Sequence, residues 1–129
     1  MMKSMVGIAA SVLCVFSVAH ADDSCAAPQT PIEMRICAGQ QFAQADKALN
    51  EAYGVLVQLH KSQGNQSSVT QLATAEKAWI VFRDLECKYR GHADEGGHEQ
   101  PVRVLACETS LTDKRTDDLI QDFAAFNLN

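Results

Sequence analysis

The sequence predicts a compact all-α domain of three helices, and three observations carry that prediction. Apolar residues recur at three- and four-residue steps along most of the chain. No run of alternating β-branched residues appears, and no two-residue hairpin signal joins two such runs. Two polar, glycine-bearing stretches, residues 61–68 (KSQGNQSS) and 88–101 (KYRGHADEGGHEQP), divide the helical pattern into three parts. There is no repeat, linker or low-complexity tract.

The first 21 residues read differently from the rest. Lys3 is followed by an apolar run over residues 5–18 and then by Ala19, His20 and Ala21. A basic end, an apolar middle and small residues before a cleavage point are the order of a secretory signal peptide. The run is short of the roughly 20 residues a spanning helix needs. Leu13 and Val12 precede Cys14, where a lipoprotein signal places a small residue. The expectation is a signal peptide over 1–21, cleavage after Ala21, and a single domain over 22–129 with no membrane span, periplasmic or secreted. The formal net charge is −5 for the whole chain, and loss of Lys3 makes it one unit more acidic. A mildly acidic domain argues against nucleic acid and anionic membranes, which reward basic patches, and suits a basic partner.

The mature domain opens on a non-helical entry at 25–31, held extended or turned by Pro28 and Pro31. Thr30 with Glu33 three residues later resembles a capping box, and Pro31 suits a first helical position. Met34, Ala38, Phe42, Ala45, Leu49, Tyr53 and Leu56 then keep one helical stripe, which predicts a first helix over about 32–63. Gly64 and Asn65 end it, and a serine is expected to cap the next helix. The second helix is predicted over about 69–89. The polar stretch 88–101, with three glycines and a proline, is expected to be one long irregular loop. After Pro101 a third helix is predicted to about 126, with Val102, Leu105, Leu111, Arg115, Leu119, Phe123 and Phe126 on its inner side.

The second helix contains EKAWIVFRDLEC, residues 76–87, with the chain's single tryptophan. Leu72, Ala75, Trp79 and Phe82 follow helical steps and are expected to face the core. Arg83 lies four residues after Trp79, so its guanidinium is expected to stack on the indole. Trp79, Phe82, Arg83 and Asp84 are therefore the expected structural core, with Cys87 as a staple.

Of five cysteines, Cys14 leaves with the leader, and Cys25, Cys37, Cys87 and Cys107 remain. An even number in a small exported domain reads as two disulfides. Neighbour pairing, Cys25–Cys37 and Cys87–Cys107, closes short loops, but spacing alone leaves all three connectivities open.

Little here promises catalysis. No serine sits in a strained GxSxG turn or at a meaningful spacing from a histidine. Carboxylate pairs need a substrate cleft, for which a small three-helix domain has little room. His92, Asp94, Glu95, His98 and Glu99 share the glycine-rich loop without the short regular spacings of a zinc site. The expectation is a protein that is not an enzyme, with no metal and no cofactor.

Five segments occur in order: EMRICA (33–38), AD-x-x-LN-x-x-Y (45–53), EKAWIVFRDLEC (76–87), GG-x-x-x-P (96–101) and C-x-x-x-LT-x-x-R (107–115). Together with the four cysteines they resemble the family named for the lysozyme inhibitor LprI, over 25 to about 123. The resemblance implies a helical, disulfide-bonded domain of the bacterial cell envelope, in at least one case a lysozyme inhibitor. The protein that gives the family its name is a lipoprotein; this chain has no lipid-attachment cysteine. The implied partner is a basic lysozyme or another peptidoglycan hydrolase. The alternative is a structural, accessory or immunity-type envelope protein. By analogy with inhibitors that push a loop into the lysozyme cleft, His92, Asp94, Glu95 and His98 are the candidate binding residues.

Overall fold

The computed structural model describes residues 25–128. The signal peptide read in residues 1–21, with its cleavage after Ala21, lies outside the described residues. Among them are three long helices and no strand: α1 Pro31–Ser62, α2 Gln66–Gly91 and α3 Gln100–Asn127. A short 3-10 turn, His92–Asp94, follows α2.

The start of α1 follows the sequence closely. The Thr30 hydroxyl accepts from the Glu33 backbone N–H at 3.2 Å, and the Glu33 carboxylate accepts from the Gln29 and Thr30 N–H groups at 2.7 and 3.0 Å. These bonds satisfy donors that have no partner inside the helix. Pro31 takes the first turn, where its missing N–H costs nothing. At the other end the chain reverses through Gly64, whose φ of 70° suits glycine.

The cap of α2 departs from expectation. Asn65, and not a serine, caps it: its side-chain oxygen accepts from the Ser68 N–H at 3.1 Å. The helix begins earlier than the predicted 69 because Asn65 can cap at once after the glycine turn. It also runs to Gly91, and α3 starts at Gln100. The irregular segment is thus shorter than 88–101. It is also ordered by its own backbone, with Glu95 N–H on His92 O and Gly97 N–H on Asp94 O.

Packing is uneven. The largest interface joins α1 and α3, while α2 lies mainly on α3 and only thinly on α1. Leu49, Leu56 and Leu119 form the buried centre, with Tyr53, Leu72, Trp79 and Phe123 packed around it. That is a small apolar core for a domain of this length. Two disulfides supplement it, Cys25–Cys37 and Cys87–Cys107, so the neighbour pairing is the one present. They close loops of 12 and 20 residues in sequence separation. Loop-closure entropy makes each worth about 3 kcal/mol.

Some residues expected inside are on the outside. Phe82 is 54% exposed, whereas Glu76 and Arg83 are buried. The physical reason is rotation. On α2 the buried line runs through Glu76, Arg83 and Cys87, seven and four residues apart, and Phe82 sits about 100° away from Arg83. Apolar periodicity pointed to the adjacent stripe because the residues that α2 buries are mostly polar. Ala75, expected inside, is likewise exposed, while Leu72 and Trp79 are partly buried.

Candidate functional site

Two constellations of polar side chains stand out, one inside the bundle and one at its end. The inner one is centred on Arg83. Its guanidinium lies 5.4 Å from the Trp79 ring centre on α2 and 5.0 Å from that of Phe42 on α1. Its nitrogens reach Asp84 Oδ1 at 2.8 and 2.9 Å, Asp46 Oδ1 at 3.5 Å and, as donor, the Thr112 hydroxyl of α3 at 3.3 Å. A single side chain therefore ties all three helices together. The stacking expected between Arg83 and Trp79 is present. Asp84 stands at the rim of the cluster, with its side chain 52% exposed. Asp46 is steadied in turn by Asn50, whose amide donates to the Asp46 carbonyl and carboxylate.

About two helical turns away along α2, Glu76 and Arg115 make a second tie between α2 and α3. Both guanidinium contacts, from Nε and Nη2, go to Glu76 Oε2 at 3.0 Å. Sequence reading singled out neither Glu76, Asp46 nor Thr112. A signal was available: Glu76 and Arg83 are seven residues apart and so share a helix face. Nothing in apolar periodicity points to polar residues there.

The outer constellation is the segment between α2 and α3. Both of its flanks are anchored, because Cys87 near the end of α2 is bonded to Cys107 near the start of α3. Gly91 allows the close approach: a Cβ there would meet the Val104 side chain at 2.5 Å. The four candidate binding residues do not form one cluster. His92 Nδ1 pairs with Glu95 at 2.7 Å on the exposed surface. Asp94 turns back and pairs with Arg103 of α3. His98 lies toward the start of α1, around a small cavity that it lines with Pro31, Met34 and Val102. Gly96 has φ 80°, which a glycine adopts without strain.

No three His, Cys, Asp or Glu side chains converge as a metal site among the described residues. A shallow groove of about 700 Å³ between α1 and α3 includes Val55, Leu59 and Phe123. Glu51 is the one carboxylate lining it. No acid–base pair is therefore placed to work on a substrate in it.

Two carboxyl groups are shifted by their surroundings. Backbone hydrogen bonds from Gln29 and Thr30 hold Glu33 below the usual carboxylate range. Burial, and then the charge of Asp84, push Glu108 above it, partly offset by Arg83.

The model of the lysozyme inhibitor LprI family matches residues 21–119. The chain belongs to that family. A further relative is an uncharacterized protein of Rhizobium meliloti (strain 1021), 29% identical over 120 residues, covering 84% of this chain and 86% of that protein. No solved structure matches. Placed on the structure, three of the five segments converge. AD-x-x-LN supplies Asp46 and Asn50, EKAWIVFRDLEC supplies Glu76, Trp79, Arg83 and Asp84, and LT-x-x-R supplies Thr112 and Arg115. In this chain these three segments thus hold the helices together.

Proposed function

We propose that this chain is an exported protein that binds and inhibits a lysozyme or a related peptidoglycan hydrolase, with the stapled segment His92 to Glu99 as its working surface. Membership of the lysozyme inhibitor LprI family carries this reading. The formal charge of −5 supports it, since an acidic domain draws a basic hydrolase by long-range attraction. No helix among the described residues is long and apolar enough to cross a membrane, and both disulfides suit an oxidising compartment.

The loop suits the role on physical grounds. It is short, exposed and anchored at both ends, so little ordering entropy is lost when it enters a cleft. The His92–Glu95 pair leaves the Nε2 edge of the imidazole for an outside acceptor. A hydrolase that cleaves glycosides with two carboxyl groups offers such acceptors. His98 then approaches from the α1 side of the same segment.

The test is to titrate purified protein into lysozymes of several classes while following cell-wall lysis. Inhibition of at least one class is expected. The double variant His92→Ala, His98→Ala should lose it with an unchanged helical circular dichroism spectrum, because exposed substitutions usually cost within about 0.5 kcal/mol. Full activity in that variant removes the loop from the mechanism. No inhibition of any class by the unaltered protein favours the accessory or immunity-type role instead.

A further inference from the structure

The outer face of α2 carries an apolar stripe that nothing in the described chain covers. Val81, Phe82, Leu85 and Tyr89 are 58%, 54%, 62% and 75% exposed, and Ala78 continues the line toward the helix start. Since a large aromatic side chain has about 150–250 Å² to bury, these residues leave on the order of 500 Å² uncovered. That is at the upper end of what a monomer ordinarily exposes in one patch.

We propose that this stripe is the contact between two copies of the chain, with the two α2 helices packed antiparallel about a two-fold axis near Val81 and Phe82. Bulk is the first argument. The half of the stripe toward the loop is large, with Leu85 and Tyr89, and the half toward the helix start is small, with Ala78 and Thr74. An antiparallel pairing sets Leu85 over the second copy's Ala78 and Tyr89 over its Thr74, so each large residue meets a small one. A parallel pairing stacks large on large and leaves the small half gaping.

Charge is the second argument. Lys77 and Asp84 lie on one flank of the stripe, two helical turns apart, on either side of the proposed axis. Antiparallel helices bring like flanks together, so Lys77 of each copy faces Asp84 of the other, twice by symmetry. Among the described residues Lys77 makes no ion pair, and the Asp84 contacts to Arg83 use Oδ1, leaving Oδ2 for the second copy. The contact is isologous and closes on itself. It buries less than the roughly 800 Å² per partner of a standard interface, so the association is weak and concentration-dependent. It is independent of the hydrolase reading and leaves the two loops at opposite ends of the pair.

Sedimentation equilibrium of the purified protein over a concentration series into the high-micromolar range tests it. The expected result is a weight-average mass that climbs toward twice the monomer. Leu85→Glu should weaken association at least tenfold and Lys77→Glu several-fold, both with unchanged circular dichroism. Register is tested by a short bismaleimide linker. Val81→Cys, near the axis, should couple to itself, whereas Gln71→Cys should not, because antiparallel pairing separates its two copies by about 30 Å. A protein that stays monomeric throughout overturns the proposal. So does association indifferent to Leu85→Glu, or equal coupling at both cysteines. Loss of hydrolase binding in Leu85→Glu without any change in mass also overturns it, and assigns the stripe to the hydrolase.

Discussion

Five groups from three helices meet the guanidinium of Arg83: two rings, two carboxylates and one hydroxyl. Lysine cannot reproduce a planar fork that stacks and bonds at once. Arg83→Lys should therefore cost about 3 kcal/mol in chemical denaturation, the low end for a broken buried pair, because Asp46 and Asp84 remain half exposed. A loss under about 1 kcal/mol would mean that the apolar core alone holds α2 in place. Glu108 acts in the opposite sense. Its carboxyl is pushed up mainly by burial, so the folded chain holds that proton more tightly than the unfolded chain does. The stabilising contribution of the protonated form is present below the usual carboxylate range and is lost as pH rises through the raised value. Glu108→Gln should thus raise the melting temperature at neutral pH, and the gain should close as the pH falls through that range. Glu33 has the reverse sign: its folded value is depressed, so its contribution to the start of α1 is present at neutral pH and is lost on acidification.

At the scale of the element, α2 is the informative helix, because it buries polar residues and exposes apolar ones. Trp79→Ala removes a partly buried ring from the edge of the core and the face on which Arg83 stacks. A cost of about 3 kcal/mol is expected, against about 0.5 kcal/mol or less for Phe82→Ala three residues on. Parallel thermal melts of the two variants check this. Similar losses in both would put Phe82 back in the core. The end of α2 makes a separate prediction. Gly91→Ala places a methyl against Val104, at a distance real Cβ atoms do not tolerate. Either α2 ends earlier or α3 shifts, and a destabilisation of about 1–3 kcal/mol follows from overpacking. Reduced hydrogen-exchange protection at the Gly91 end of α2 should accompany it.

For the whole molecule, the disulfides compensate for a core of few fully buried apolar side chains. The double variant Cys87→Ser, Cys107→Ser should lose about 3 kcal/mol of stability. Its second effect is local. The loop His92 to Glu99 loses its staple, so any inhibition of a hydrolase should weaken even at temperatures where the bundle is still folded. Removing Cys25–Cys37 instead costs a similar amount but leaves the loop anchored. Comparing lysis curves for the two variants at equal folded fraction separates stability from presentation. Equal losses in both would make the staple's role thermodynamic only.

Local chemistry settled much of this protein by itself. The capping box of Thr30 and Glu33, the break at Gly64 and the glycines of the 91–97 segment dictate three helices, because caps and left-handed glycines act within a few residues of chain. Stacking of Arg83 on Trp79 was equally readable, being a contact between residues four apart on one helix. Three features were decided only by tertiary structure. The rotation of α2 is one: burying Glu76 and Arg83 is favourable only when Arg115, Asp46 and Thr112 arrive from other helices, and apolar periodicity does not register such pairs. The disulfide pairing is another, since four equivalent thiols are sorted by which Cα atoms the folded backbone brings within 5.4–5.5 Å. The division of the loop is the third. Arg103 holds Asp94 inward while His92 and Glu95 pair on the surface, and only the approach of α3 separates residues that stand side by side in the chain.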